Sequence, residues 1–178
     1  MRVVVALLLA LVAAVPALAG DPEPYVRTCS SSAYGDLGQG WRERAIVAGH
    51  VAFVGMSGSY NRMQLDPVGA GRANPLKVLV VVDPNAAPTV TIAPRSRAHA
   101  ALGYNGIRHK DSTGVPLADG TPSVQFRACR LVRSREPWNR GTQFPGYFLV
   151  AGPRCVHVDV ATQGKVLRRK LSFGARCS

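Results

Sequence analysis

The apolar segments of this chain are short, and most of them end at a glycine or a proline. The clearest example is the valine-rich run 78–82, which stops at Asp83-Pro84-Asn85. Short runs rich in β-branched residues are typical of strands, and continuous valine predicts a strand buried on both faces. No amphipathic helix longer than two turns is predicted beyond the N-terminal leader, although residues 41–45 would fit one helical turn. The chain is therefore expected to consist almost wholly of strands.

About seven or eight short strands are predicted, separated by turn signals. They cover residues 45–54, 76–82, 89–92, 99–104, 123–129, 147–151, 155–161 and 165–173. The last two flank Gln163-Gly164, a pattern that predicts a hairpin. Arg169 shares the parity of the apolar residues in the last strand, so it either reaches out at an edge or marks a bulge. The fold expected from this pattern is all-β, an antiparallel β-sandwich or barrel.

The first residues have the layout of a secretory signal peptide. Met1-Arg2 is followed by an apolar run over 3–15, a proline, and the small-x-small site Ala17-Leu18-Ala19. The run is shorter than the roughly 20 residues that a membrane-spanning helix needs. We therefore expect residues 1–19 to be a signal peptide, with no transmembrane span after cleavage and a secreted or extracytoplasmic location at the cell envelope.

The mature chain is expected to have two parts. Residues 20–40 are rich in Pro, Gly and Ser, which predicts a turn-rich N-terminal segment. Residues 41–178 show the strand pattern without an internal repeat, which predicts a single β-rich domain.

Four cysteines, Cys29, Cys129, Cys155 and Cys177, follow the leader. An even number of cysteines in an exported chain predicts two disulfides, and three pairings are possible. We favour Cys129–Cys155, which would join two predicted strands, and Cys29–Cys177, which would tie the ends of the mature chain. The spacing is unlike that of zinc sites, because no C-x-x-C is present. An alternative for Cys129 is a nucleophilic thiolate favoured by the arginines on either side.

The charge is strongly basic, with 22 Lys+Arg against 10 Asp+Glu and a formal net charge of +12. Nucleic acid is not expected as a partner of an exported protein, whereas anionic envelope polymers or lipid head groups fit that compartment. The predicted loop 130–143 mixes arginine, a good partner for phosphate and carboxylate, with tryptophan. Its candidate binding residues are Arg130, Arg133, Arg135, Trp138 and Arg140. Arginine enrichment by a GC-rich genome, without any partner, is the competing explanation.

Candidate catalytic residues are few. His157 and Asp159 lie two residues apart on a predicted strand and would share a face, so that a triad with Ser57 or Ser172 is conceivable. His50 and Asp159 could likewise meet in space. The competing interpretation of His157 and Asp159 is a solvent-exposed face opposite the valines.

Other motifs point to no cofactor. Gly55-Met56-Ser57-Gly58-Ser59 approaches a nucleophile elbow but lacks the final glycine, and a turn is predicted there. His99, His109 and Asp111 do not have the close spacing usual for a zinc site, so no metal is expected. No glycine-rich phosphate-binding motif is present.

Three segments, 124–129, 146–155 and 171–177, carry a resemblance to a known group of proteins. From about Trp41 onward the chain resembles uncharacterised secreted proteins of high-GC Gram-positive bacteria. The resemblance implies class and location but no catalytic residue. It also implies a disulfide role for Cys129, Cys155 and Cys177, which close the three segments.

Together these features predict an exported, disulfide-stapled, non-catalytic binding or structural module of the cell envelope, with Arg-rich loops that dock anionic polymers. The alternative function is a small secreted hydrolase that uses His157 and Asp159 with a serine. The sequence leaves the ligand and the oligomeric state open.

Overall fold

A computed structural model of the chain describes residues 22–58, 63–106, 114–130 and 140–178. The predicted signal peptide, residues 1–19, lies outside this part. Within the described residues the structure has thirteen strands and a few one-turn 3₁₀ helices, which confirms the all-β class. The strands are β1 Tyr25–Arg27, β2 Ala45–Ala48, β3 Val51–Val54, β4 Arg72–Lys77, β5 Val80–Val82, β6 Thr89–Ile92, β7 Ala100–Gly103, β8 Val115–Pro116, β9 Ser123–Phe126, β10 Thr142–Phe144, β11 Tyr147–Val150, β12 Arg154–Thr162 and β13 Lys165–Phe173.

The strands form three sheets. The first sheet has five strands in the order β1-β9-β6-β12-β13. The second has the order β10-β5-β3-β2, and the third has the order β7-β11-β4-β8. All pairs of neighbouring strands in these sheets are antiparallel except β1 and β9, which run parallel.

All three sheets contribute to one hydrophobic core. Val158 of the first sheet, Phe53 of the second and Phe148 of the third are fully buried in the same cluster. Val80 and Val82 also point into this core, whereas Val81 packs on the opposite face against Trp41. The prediction of a valine strand buried on both faces is therefore confirmed.

Several strands lie in stretches where the sequence predicts turns or loops. β1 lies within the predicted N-terminal segment, β8 lies between the predicted strands 99–104 and 123–129, and β10 begins in the predicted loop 130–143. Residues 45–54, predicted as a single run, form the hairpin β2–β3 with a turn at Gly49-His50. The predicted hairpin β12–β13 is present, with positive φ at Gln163 and Gly164 in its two-residue turn.

The disulfides are Cys29–Cys129 and Cys155–Cys177, and the described residues contain no free cysteine. Two disulfides were predicted correctly, but the favoured pairing was wrong, as was the alternative of a Cys129 thiolate. The reason is topological. Because β1 and β9 run parallel, the residues that follow them, Cys29 and Cys129, emerge at the same end of the sheet.

The second disulfide forms where the chain turns back after β13. Gly174 has φ +65°, a conformation that favours glycine, and the following residues return toward the start of β12. The Cys177 N–H donates to Ser172 Oγ at 3.2 Å, and Ser172 lies opposite Cys155 in the register. Cys177 is thereby placed beside Cys155, which leaves it no access to Cys29.

Arg169 links the edges of two sheets. The β12–β13 register is continuous from Thr162–Lys165 to Arg154–Phe173, so no bulge is present. Arg169 Nε donates to the carbonyl of Val47 in β2, and its Nη1 donates to the Arg168 carbonyl, both at 2.9 Å. Of the two predicted alternatives, a bulge or an arginine that reaches out at the sheet edge, the second is therefore correct.

No helix among the described residues has both the length and the apolar character needed to cross a membrane.

Candidate functional site

A cleft of about 310 Å³ lies beside the one-turn helix Trp41–Arg44. Its other walls come from residues 83–84, which follow β5, and residues 140–141, which precede β10. We call it the Arg42 cleft. It is lined by Gly40, Trp41, Arg42, Glu43, Asp83, Pro84, Arg140 and Gly141. The predicted single turn at 41–45 is thus present as a 3₁₀ helix.

Two glycines allow the walls of the Arg42 cleft to form. Gly40 precedes the one-turn helix with φ +72°, a left-handed conformation that glycine adopts at no steric cost. At Gly141 an added Cβ would lie 2.2 Å from Val81 Cγ1, so only glycine permits this close approach. The contact with the buried Val81 places the neighbouring Arg140 at the rim of the cleft.

Arg42 is held in a defined orientation. Its Nη2 donates to Asp83 Oδ1 at 2.6 Å, and its Cζ lies 5.2 Å from the ring centroid of Trp41. Trp41 is only 2% exposed, whereas the Arg42 side chain is 52% exposed. An ion pair and a cation–π contact therefore fix a guanidinium that still faces solvent.

Asp83 also contacts His50. His50 Nδ1 lies 3.2 Å from Asp83 Oδ2, and the Asp83 N–H donates to the His50 carbonyl at 3.0 Å. Asp159, which the sequence left as a conceivable partner of His50, lies 3.8 Å from Arg168 Nε. The sequence places Asp83 directly after the valine run but contains no sign that β3 and β5 are neighbours, which is what brings His50 to it.

The charged side chains that line the Arg42 cleft balance one another. Arg42 and Arg140 are matched by Glu43 and Asp83. The guanidinium groups can bind carboxylate, sulfate or phosphate, whereas the carboxylates can accept hydrogen bonds from hydroxyl groups. The arrangement thus suits a ligand that carries both acidic and hydroxyl groups better than a bare anion.

The predicted Arg-rich loop adjoins this cleft. Arg130 and Arg140 are exposed, and Arg140 lines the cleft, whereas Arg133, Arg135 and Trp138 lie outside the described residues. The two flanks of the loop are joined, since the Cys129 N–H donates to Thr142 Oγ1 at 2.8 Å. Cys129 is also bonded to Cys29, so a disulfide and a hydrogen bond both constrain the chain next to Arg130.

His157 and Asp159 share the outer face of β12, as predicted from their spacing. They lie opposite Lys170 and Arg168, respectively, in the β12–β13 register. Burial lowers the pKa of the His157 imidazole below its ordinary value of 6.5, the charges of Arg95 and Lys170 lower it further, and Asp159 opposes them. The histidine therefore lies in a cationic environment.

The two serines considered for a triad make other hydrogen bonds. Ser57 Oγ donates to the Glu43 carbonyl at 3.2 Å, and residues 55–58 form the predicted turn. Ser172 Oγ donates to Cys177 Sγ at 3.2 Å. Among the described residues, neither hydroxyl is hydrogen bonded to the His157 ring.

The candidate metal set comprises His99, His109 and Asp111. His109 and Asp111 lie outside the described residues, and the His99 N–H donates to the Ser96 carbonyl at 3.0 Å. Within the part of the chain that the structure describes, no group of three or more His, Cys, Asp or Glu residues is arranged to hold a metal ion.

The Arg42 cleft is therefore the site in which geometry and charge converge most clearly. None of the protein-family models, curated proteins or solved structures with which the chain was compared matches it.

Proposed function

We propose that this chain is an exported, non-catalytic binding module that docks an acidic glycan of the cell envelope in the Arg42 cleft. The observation that carries the proposal is the fixed Arg42 guanidinium, held by Asp83 over Trp41 and sharing a cleft with Arg140. Orienting an arginine before its ligand arrives reduces the side-chain entropy lost on binding. Such a group is suited to bidentate recognition of an acidic substituent.

The balance of charge supports a glycan as the ligand. Acidic substituents would pair with Arg42 and Arg140, and sugar hydroxyls would donate to Glu43 and Asp83. Two disulfides suit an oxidising compartment, as does the signal-peptide layout of the sequence. The resemblance to secreted proteins agrees with this placement.

The described contacts favour binding over hydrolysis. Ser57 and Ser172 donate their hydroxyl hydrogens elsewhere, and Cys129 is in a disulfide. The hydrolase alternative therefore has no activated nucleophile among the residues considered for it.

Retention on an immobilised acidic glycan tests the proposal. Polygalacturonate is the acidic probe, and its fully methyl-esterified form is the neutral one. We expect the parent protein to bind only the acidic form. Arg42→Gln and Arg140→Gln should each weaken binding by roughly tenfold or more, since a hydrogen bond to a charged group contributes about 1.5–3 kcal/mol.

Arg44→Gln is the matched control, because Arg44 is an exposed arginine of the same helical turn that does not line the cleft. It should bind nearly as well as the parent. Equal losses for Arg42→Gln and Arg44→Gln would show that net charge alone drives retention and would reject the cleft. Equal retention of the neutral glycan would reject the acidic substituent.

A further inference from the structure

A second charged surface lies on the outer face of the hairpin β12–β13. Val156 and Val158 point into the core, so the alternate residues of β12 point outward. His157 is therefore on the outer face, directly opposite the exposed Lys170. We call the surface formed by Arg95, His157, Arg168, Lys170 and Arg176 the hairpin face.

Arg95 is brought to the hairpin face by hydrogen bonds on both sides of His157. The Ala93 N–H donates to the His157 carbonyl at 2.9 Å, and the His157 N–H donates to Ser96 Oγ at 3.0 Å. These bonds hold the one-turn helix Pro94–Ser96 against β12. Arg95, in the middle of that turn, is exposed and close enough for its charge to act on His157.

The second disulfide brings the C-terminal residues to the same surface. Cys155 has the same parity as His157 on β12 and is bonded to Cys177. Arg176, next to Cys177, is exposed, and Lys170 Nζ donates to the carbonyl oxygen of Ser178. A disulfide thus fixes a further arginine beside the hairpin face.

The charge of the hairpin face is unbalanced, unlike that of the Arg42 cleft. Its four permanent cations are accompanied by Asp159, the carboxylate of β12 that lies 3.8 Å from Arg168 Nε, and by the backbone oxygen of Ser178, which accepts from Lys170 Nζ. Arg168 and Lys170, two residues apart on an extended strand, project at intervals of roughly 7 Å. An exposed strand with cations at this spacing, flanked by Arg95 and Arg176, attracts a linear polymer with repeated anionic groups.

We propose that the hairpin face binds a linear polyanion such as a phosphate-bearing polymer, and that protonation of His157 strengthens this binding. The site is distinct from the Arg42 cleft and does not depend on the glycan proposal. The charged groups that act on His157 are Arg95 from the Pro94–Ser96 turn, Lys170 from β13 and Asp159 from β12.

The direction of the pH dependence follows from linkage. In the free protein, burial and the neighbouring cations lower the pKa of His157. A bound polyanion offsets those cations and stabilises the imidazolium, which raises the pKa. The affinity must therefore increase as the pH falls through the titration range of His157.

Calorimetric titration with inorganic polyphosphate, at about pH 5.5 and about pH 7.5 on either side of the ordinary histidine pKa, tests the proposal. We expect several-fold tighter binding at the lower pH. Lys170→Gln should weaken binding at both pH values, whereas His157→Gln should still bind but lose most of the pH dependence. The imidazole proton signal of His157 should titrate at higher pH when polyphosphate is bound.

Lys165→Gln is the matched control, an exposed lysine of the same strand at the hairpin turn. Equal losses for Lys165→Gln and Lys170→Gln would overturn the site, as would pH dependence that persists in His157→Gln. Loss of polyphosphate binding in Arg42→Gln but not in Lys170→Gln would assign the polyanion to the Arg42 cleft. Binding to phosphatidylglycerol vesicles without binding to the free polymer would also reject the proposal.

Discussion

Tyr104 joins parts of the core that come from different sheets. It is 1% exposed, and its hydroxyl donates to the Val78 carbonyl at 2.7 Å. Its ring makes edge contacts with Phe126 of the first sheet at 5.2 Å and with Phe148 of the third sheet at 6.3 Å. Such a ring has little freedom to move, because its polar tip and both neighbouring rings constrain it.

This constraint makes Gly146 a sensitive position. A Cβ at residue 146 would lie 2.2 Å from Tyr104 Cδ1. Gly146→Ala should therefore lower the free energy of unfolding by about 1–3 kcal/mol, the usual cost of overpacking a core. Urea denaturation measures the change. Gly69→Ala is the control, since its Cβ would meet nothing closer than Arg72 Cδ at 4.0 Å, and equal losses for both variants would contradict the explanation.

The strands that could be predicted from the sequence are those in which local pattern and burial agree. β5 and β6 are rich in β-branched residues, and β12 alternates valine with polar residues. These strands can therefore be predicted without knowing which strands pair with them. β4 contains Arg72, Asn74 and Pro75, which locally favour a loop. It becomes a strand because β11 pairs along it, a tertiary contact that no local pattern contains.

The same limit applies to the Arg42 cleft. The sequence indicated Arg140 through its Arg-rich surroundings, but Arg42 and Asp83 are forty-one residues apart and no motif links them. Arg42 reaches Asp83 because Trp41 packs against Ala52 and Val81 of the second sheet, and the pairing of β3 with β5 brings His50 to the same carboxylate. Only the tertiary structure could have revealed these contacts.

Arg169 forms a hydrogen bond between the edges of β2 and β13. Arg169 donates to the carbonyls of Val47 and Arg168, so Arg169→Met removes both bonds while it keeps most of the aliphatic stem. We expect a loss of about 1 kcal/mol in the free energy of unfolding, because the pair is partly solvated. Faster amide hydrogen exchange along β2 and β13 should accompany it.

Arg168→Met provides the comparison, since the Arg168 side chain is 84% exposed and its nearest carboxylate lies at 3.8 Å. Exposed ion pairs contribute little to stability, so this variant should unfold almost as the parent does. Equal destabilisation by the two substitutions would mean that Arg169 does not hold the sheet edges together.

At the scale of the whole molecule, the two disulfides constrain very different lengths of chain. Cys29 and Cys129 are separated by 100 residues, whereas Cys155 and Cys177 are separated by 22. On the chain-entropy model, removing the first should cost about 4.7 kcal/mol and removing the second about 3.4 kcal/mol. The Cys29→Ser/Cys129→Ser variant should therefore unfold at the lower urea concentration.

Peptide mapping of the unreduced protein provides an independent check of the pairing. A proteolytic fragment that links Cys29 to Cys129 is expected, and one that links Cys129 to Cys155 would contradict the parallel pairing of β1 with β9. The variant without Cys155–Cys177 should be more stable than the variant without Cys29–Cys129. The opposite order would contradict the chain-entropy explanation, even if peptide mapping confirmed both disulfides.

The connectivity of the two disulfides can also be compared with the order in which the cysteines are synthesised. At roughly 5–20 residues per second, Cys29 is made about 5–20 s before the cysteine that lies 100 residues later. During that interval no other cysteine of this sequence has been made, and the next one to appear is its native partner. Cys155 and Cys177 then follow and pair with each other. The native connectivity is thus the one that arises if cysteines pair in their order of appearance, and no bond has to be broken and remade to reach it.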